Sequence, residues 1–295
     1  MVTATAFIAV TTLLAKAIGT GAFGAPLHPL QVSHGRFLFA LMGLSVAMAV
    51  LRPRIEAPHW RLHVGRTAFG WGGVTLMFAS VAFIPLSDAT AISFLNPVVA
   101  MVLAIPLLGE RVGPVRWLAA MIALAGALIL LRPSAAGIQP AALLPLGAAV
   151  LLGMEVIFIK KRGGRERPFQ ILLINNTIGV LIASVAVINV LQAPTLSQWI
   201  ALAGIGFAMA AAQTCFVNAM ARADASFIAP FSYGTLIFAT LYDWAIYHAV
   251  PDGISLLGAI TILVGGVILA WREGRARRIM PLGDTRSETI ATPHR

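Results

Sequence analysis

Charged side chains are scarce in this sequence. They make up 11% of the 295 residues, whereas a soluble domain carries about 25%. A chain with so few charges does not suit a surface that faces water. Cysteine is scarcer still, because Cys215 is the only one, and this argues against a disulfide framework or a cysteine-based metal site. We predict no cofactor and no metal site.

Long runs without Asp, Glu, Lys or Arg fill most of the chain. A helix needs about 20 apolar residues to cross the hydrocarbon core, and these runs are continuously apolar, which favours helices over barrel strands. The longest run, 168–221, is too long for one span, and Gln192–Gln198 divides it with turn residues. We predict an all-α integral membrane protein with ten transmembrane helices, at residues 3–23, 30–51, 66–84, 87–108, 113–131, 140–160, 168–191, 197–219, 225–248 and 253–271.

The basic residues test this count independently. If the N-terminus is cytoplasmic, ten spans place 18 of the 21 basic residues on the cytoplasmic side and only Arg132 in an outer loop. Such a bias follows the positive-inside rule. We therefore predict a multi-pass protein of the bacterial inner (plasma) membrane with both termini in the cytoplasm. The net charge of +10 is then an orientation signal, and no nucleic-acid partner is predicted.

Two short blocks of sequence recur at nearly constant spacing. Ser87–Ile92 resembles Ala223–Ile228 at an offset of 136 residues, and Leu124–Leu130 resembles Leu263–Leu269 at an offset of 139. Chance similarity among Ala-, Leu- and Gly-rich helices is the alternative. Because each half holds five spans, an odd number, the two halves are inverted, as in many secondary transporters. The predicted units are a first five-helix repeat at 1–132, a second at 139–272 and a disordered cytoplasmic tail at 273–295.

The first half also carries a specific series of motifs. Leu86–Ala91 gives a small and polar start, Asn96-Pro97 a proline in mid-helix, Leu107–Val112 a Gly-Glu exit, and Gly126 a glycine in the next helix. This series resembles the EamA repeat of the drug/metabolite transporter superfamily. The second half departs from it at Tyr247–Asp252, where the family often has Gly-Glu.

The resemblance implies a central cavity between the two halves and alternating access. Members of the family export amino acids and other metabolites, carry nucleotide sugars or import solutes such as S-adenosylmethionine. Within the family, the chain resembles the exporters of aromatic amino acids.

Four ionisable residues lie at membrane depth, where such residues are functional candidates by default. Lys16 and Arg36 both fall in the outer half of the membrane. Either could receive a substrate carboxylate, and the alternative for both is a structural ion pair with Asp243 or snorkelling to the interface. We predict substrate contact for Lys16, the deeper of the two, and the structural role for Arg36. Glu155 could bind a substrate amine, carry a coupling proton or snorkel toward the basic residues that follow it.

Four uncharged residues complete the predicted site. Trp71 stands among glycines that leave space for a ligand to stack on its ring. Asn96 precedes the proline that interrupts its helix. Gln213 is the deepest amide of its span, and Tyr233 occupies the part of the second half that corresponds to Asn96. Packing between helices is the alternative role for Trp71, Asn96 and Gln213.

A secondary transporter fits these features better than an enzyme or a channel. The sequence has no HExxH, GxSxG or acidic metal motif, no filter-like segment and no nucleotide-binding P-loop. A mostly uncharged site suits amphipathic solutes, so we predict transport of aromatic or apolar amino acids in the export direction. The alternative is import or exchange of a nucleoside-like, sulfonium or quaternary-ammonium solute. The predicted partners are a small-molecule substrate and the lipid bilayer, and monomer and homodimer both remain open.

Overall fold

A computed structural model describes residues 1–51, 60–110, 112–131, 140–162, 168–222 and 229–279. The regular structure in these ranges is helical throughout, without a strand. The α-helices are α1 (Val2–Gly19), α2 (Pro29–Leu51), α3 (Trp60–Ser80), α4 (Leu86–Ser93), α5 (Asn96–Leu108), α6 (Pro114–Leu131), α7 (Leu143–Arg162), α8 (Pro168–Val187), α9 (Leu196–Arg222), α10 (Gly234–Tyr247) and α11 (Gly253–Ile279). Short 3₁₀ turns lie at Pro140–Ala142, Ile188–Val190 and Ala229–Tyr233.

These helices confirm the prediction of an all-α membrane protein. Within the described residues, eight segments are long and apolar enough to cross a membrane, with α4 and α5 together forming one of them. The remaining two helices, α3 and α10, lie where the third and ninth spans are predicted. Helix α3 is less apolar because it carries Arg61, His63 and Arg66, and α10 is short, with 14 residues after a 3₁₀ turn.

The fourth span is broken in the middle, as the Asn96-Pro97 pair indicates. Helix α4 ends at Ser93 and α5 begins at Asn96, with Pro97 in its first turn. Proline suits this position because the first turn of a helix does not need its missing N–H. At the other end of α5, Gly109 caps the helix in the left-handed conformation, with φ 67°, which glycine adopts without strain.

The helices pack with the symmetry expected of a repeat. Helix α6 packs along α11 and α2 along α8, so each pair joins corresponding helices of the two halves. Helix α3 of the first half packs along α7 of the second half, and the corresponding helices, α9 and α1, also pack together. Likewise, α5 packs along α7, and the corresponding helices, α10 and α1, pack together. The chain therefore consists of two interlocked five-helix halves.

Glycines allow a close contact between α6 and α11. A Cβ atom at Gly126 would lie 2.7 Å from the carbonyl oxygen of Gly258, and one at Gly265 would lie 2.6 Å from that of Ala119. Because both clashes are with backbone, the two helices approach closely only where side chains are absent. Small residues at such positions are typical of helix packing in membranes.

Several predicted boundaries shift. Helix α1 ends at Gly19 instead of residue 23, since Gly21 and Gly24 adopt positive φ values of 81° and 124°. The tail predicted as disordered from residue 273 begins as helix, because α11 continues to Ile279. Residues 280–295, and the Ala223–Ile228 block of the repeat, lie outside the described residues.

The bundle has two ends that matter for the site. With ten spans, the start of α1 and the end of α11 lie at the same end, which we call the termini end. The opposite end holds the turns between α1 and α2, α3 and α4, α8 and α9, and α10 and α11. Helices α2 and α3 therefore run antiparallel across the membrane.

Candidate functional site

Three side chains, each one turn from the next, form a line along α3: Thr67, Trp71 and Thr75. Thr75 lies within 2.9 Å of the Ser33 hydroxyl on α2 and donates a hydrogen bond to the carbonyl oxygen of Trp71. Thr67 donates to the Oδ1 of Asn175 on α8, at 3.1 Å. From Thr67 to Thr75 the helix rises about 12 Å, so a line of polar contacts runs through the middle of the membrane.

Glu155, on α7, joins this line from the second half. The Nε atom of Arg66 donates to its Oε1 at 3.2 Å. Gly70 lies one turn after Arg66, and a Cβ atom there would come within 2.9 Å of the Glu155 carboxylate. The absence of a side chain at Gly70 thus leaves the space that the carboxylate occupies.

Arg36, on α2, is buried without a full set of partners. Its guanidinium lies over the Phe37 ring at 4.0 Å, and electrostatic attraction links it to Glu155. Its Nε atom and one Nη atom have no hydrogen-bond partner. Buried donors are almost always paired, and a charged one in a membrane costs more to leave unpaired, so this guanidinium is ready to bind an acceptor.

Arg36 and Trp71 each lie one helical turn from the contact between Ser33 on α2 and Thr75 on α3. Ser33 and Thr75 touch, and Arg36 lies one turn beyond Ser33 on the same face of α2. Trp71 lies one turn before Thr75 on the same face of α3. Because the helices are antiparallel, both steps lead about 5 Å toward the termini end. The indole N–H of Trp71 is also buried without a partner.

Two amides, Asn176 on α8 and Gln213 on α9, add to this set of polar side chains. Asn176 donates from Nδ2 to Gln213 Oε1 at 3.1 Å and to the carbonyl of Leu172 at 2.8 Å, while its Oδ1 has no partner. We call the whole set the polar column. Its members are Ser33, Arg36, Arg66, Thr67, Trp71, Thr75, Glu155, Asn175, Asn176 and Gln213.

The polar column lies between the two halves. Helices α2 and α3 supply its members from the first half, and α7, α8 and α9 supply them from the second. A rocking motion of one half against the other would therefore change this set of contacts. Among the described residues, no group of His, Cys, Asp and Glu is arranged to hold a metal ion.

A second charged cluster lies near the end of the bundle opposite the termini end. Lys16 forms a buried ion pair with Asp243 of α10, and its ammonium lies 4.3 Å from the centre of the Tyr247 ring. The other carboxylate oxygen of Asp243 accepts hydrogen bonds from the backbone N–H groups of Leu86 and Ser87, at 2.6 and 3.4 Å. Asp243 thus neutralises Lys16 and also caps the first turn of α4.

The structure separates the predicted site residues into three places. Trp71 and Gln213 belong to the polar column, together with Glu155 and Arg36. Lys16 lies in the second cluster, where it pairs with Asp243. This ion pair was the structural alternative to substrate contact for both Lys16 and Arg36, and the structure gives it to Lys16, for which substrate contact was predicted.

Asn96 and Tyr233 occupy the third place, near the break between α4 and α5. Tyr233 packs edge-on against Phe94 at 5.0 Å, and its hydroxyl lies where a side chain at Gly266 would collide with it. Asn96 is half-buried at the first residue of α5. Tyr233 therefore sits against α11, away from the residues that the polar column brings together.

Part of the polar column was not predicted from the sequence. The predicted site did not include Ser33, Arg66, Asn175 or Asn176, and it did not include Thr67 or Thr75. Their signal was present, since Thr67, Trp71 and Thr75 recur at every fourth residue of α3. Hydroxyl side chains on a tryptophan-bearing face of a membrane helix indicate a face turned away from lipid.

Hydrogen bonds join the two halves at the end of the bundle opposite the termini end. Gln31 donates to the carbonyl of Gln192 at 2.7 Å and accepts from its N–H at 3.1 Å. Gln198 donates to the carbonyl of Ala25 at 2.7 Å. With the Lys16–Asp243 pair, these contacts hold the halves together on that side of the polar column.

A cavity of about 460 Å³ lies elsewhere, between α10, α11 and the start of α4. Its lining includes Trp244, Val250 and Leu256, which are all more than half exposed. An apolar surface of this kind faces lipid in a membrane, so it does not offer a path for a polar solute.

Buried polar groups between two inverted five-helix halves, within a membrane, are typical of a membrane transporter. Comparison with known proteins agrees: the EamA-like transporter family matches residues 1–132 and 139–271. The chain belongs to this family.

Named relatives carry several kinds of small metabolite. A riboflavin transporter of Vibrio cholerae is 30% identical over 81% of this chain and 84% of its own length, and one of Rhizobium johnstonii is 34% identical over 82% and 80%. An S-adenosylmethionine uptake transporter of Rickettsia bellii is 25% identical over 86% and 87%. A solved crystal structure superposes with a TM-score of 0.63 at 21% identity, covering 93% of this chain and 96% of the other, which shows a shared fold.

Proposed function

We propose that this protein is a secondary transporter for flavin-type metabolites, which combine a planar heteroaromatic ring with an uncharged polar side chain. The observation that carries the proposal is the polar column, where a tryptophan, an arginine and amides share one membrane-buried site between the halves. Two relatives with 30% and 34% identity are named riboflavin transporters, which supports the same class of solute.

The chemistry of the polar column suits such a solute. An indole ring stacks on planar heterocycles, and uncharged amides such as Asn176 and Gln213 hydrogen-bond to hydroxyl and carbonyl groups. A neutral solute can enter this site without bringing a charge into the membrane. Substrate would bind here with one side of the bundle open, and the halves would then rock to open the other side.

Amino acids are the second candidate, and one observation favours them. Arg36 and Glu155 bring opposite charges into the same column, and these would match the carboxylate and the ammonium of a zwitterion. Export of aromatic amino acids would use the same stacking on Trp71. Against this candidate, Glu155 already pairs with Arg66, so an ammonium group would compete with a resident guanidinium.

The experiment that tests the proposal is uptake by proteoliposomes that contain the purified full-length chain. We expect saturable uptake of tritiated riboflavin that empty liposomes lack and that excess unlabelled riboflavin abolishes. Tritiated phenylalanine is measured in parallel, with and without an imposed pH gradient. Uptake of phenylalanine without uptake of riboflavin would replace the first candidate by the second, and uptake of neither by folded protein would contradict both.

A further inference from the structure

The unpartnered groups of the polar column are mostly hydrogen-bond donors. Among the described residues, they are the Nε and one Nη of Arg36 and the indole Nε1–H of Trp71, against a single acceptor, the Oδ1 of Asn176. Arg36 is only 5% exposed and Asn176 is fully buried. Buried polar groups without partners need a ligand or water, and here the missing partner has to supply acceptors.

The charges of the polar column also favour a ligand that supplies hydrogen-bond acceptors. Arg36 and Arg66 carry two positive charges and Glu155 one negative charge, so the three together are positive. The Glu155 carboxylate is occupied, because Arg66 donates to it and Arg36 attracts it. A cation that enters would therefore meet uncompensated positive charge, and bringing like charges together in a membrane interior is costly.

We propose that Arg36 and Trp71 form a donor face that determines specificity, selecting solutes with a planar row of hydrogen-bond acceptors and rejecting organic cations. The proposal rests on the proposed function, since it names the groups that would recognise the solute at the same site. A guanidinium offers parallel N–H groups in a fixed plane, and the indole N–H across the α2–α3 interface adds a third donor.

Two ligand edges fit this face. The pyrimidinedione edge of a flavin presents carbonyl and ring-nitrogen acceptors in one plane, and a carboxylate presents two oxygens in one plane. A sulfonium or quaternary-ammonium group presents none. The donor face thus favours the flavin and amino-acid candidates over the cationic alternatives considered from the sequence.

The test is a competition experiment with the full-length chain in nanodiscs, in which bound tritiated riboflavin is counted after the nanodiscs are separated from free solute. Lumiflavin keeps the pyrimidinedione edge with its acceptors and lacks the sugar-like chain, whereas thiamine is a heteroaromatic cation. We expect lumiflavin to displace riboflavin and thiamine not to do so. Equal displacement by the two would overturn the proposal.

Two conservative variants test the residues themselves. Trp71→Phe keeps a ring and removes the N–H, which should raise the dissociation constant of riboflavin by about tenfold, the value of one hydrogen bond to a buried partner. Arg36→Lys keeps the charge and removes the planar fork, for which we expect about a tenfold to hundredfold increase. The matched controls are Trp244→Phe and Arg61→Lys, whose side chains are exposed. Unchanged riboflavin binding in both test variants, each shown to be folded, would refute the role of the donor face.

Failure of the proposed function would give a different result. If the wild type binds no flavin, phenylalanine and phenethylamine take the place of lumiflavin and thiamine, with binding followed by thermal stabilisation. Phenethylamine lacks the carboxylate and keeps the ring and the ammonium. Binding of phenylalanine alone would support the donor face while contradicting flavin transport, and equal binding of both, or of neither, would overturn the donor face as well.

Discussion

The ion pair between Lys16 and Asp243 gives the sharpest prediction about stability. Asp243 is fully buried and Lys16 is 8% exposed, so removing one partner leaves the other charged and unpaired in a membrane-buried position. Loss of one member of a buried pair costs about 3–5 kcal/mol. We expect Lys16→Met and Asp243→Asn each to lower the free energy of unfolding by an amount in this range.

The second role of Asp243 can be measured separately. Asn at this position keeps an oxygen that accepts from the N–H of Leu86, whereas Leu removes it. Asp243→Leu should therefore cost about 1 kcal/mol more than Asp243→Asn, the value of a backbone cap. The double variant Lys16→Met with Asp243→Leu should recover most of the loss, because it leaves no buried charge.

The assay is equilibrium unfolding in mixed micelles with increasing dodecyl sulfate, run as a double-mutant cycle. Strictly additive single and double variants would show that the two residues do not interact and would refute the structural role. Uptake by the double variant addresses the other role predicted for Lys16. An unchanged KM for the transported solute would exclude direct contact between Lys16 and substrate, whereas a large increase in KM would support that contact.

Three further predictions follow from the packing, the charges and the topology. Gly265→Ala should destabilise the protein by about 1–3 kcal/mol in the same unfolding assay, because its Cβ atom would meet the α6 backbone. The control, Gly253→Ala, should not destabilise it, because no atom lies within 4 Å of the added Cβ. Glu155→Gln should remove any stimulation of uptake by a pH gradient and preserve exchange of labelled for unlabelled solute; stimulation equal to that of the wild type would show that another group carries the proton. In a variant without Cys215, a membrane-impermeant maleimide added to intact cells should label Ala193→Cys but not Ser287→Cys, and the reverse pattern would place both termini outside.

Relatives named for different solutes share this fold, and the polar column offers a physical reason. The framework of inverted halves depends on small residues such as Gly126 and Gly265, where helices meet backbone to backbone. The solute depends on a few polar side chains that project between the halves. These can change without disturbing the helix contacts, so the family fold alone does not determine the substrate.

The sequence alone determined the spans, the helix break and the repeat. Each of these depends on local properties: about 20 apolar residues make a span, Pro97 starts a new helix after Ser93, and basic residues collect in short loops. The recurrence of Leu124–Leu130 at Leu263–Leu269 correctly placed α6 and α11 as corresponding helices. Such features need no knowledge of which helix touches which.

Only the tertiary structure decided how the polar residues are grouped. In a membrane protein, the lipid-facing and protein-facing sides of a helix are similarly apolar, so the sequence does not show how a helix is rotated about its axis. For this reason the sequence left two candidate partners for Asp243, Lys16 and Arg36, and Tyr233 could not be separated from Trp71. Packing of α3 against α2, α7 and α8 assembled the polar column, because that is where the buried side chains find hydrogen-bonding partners.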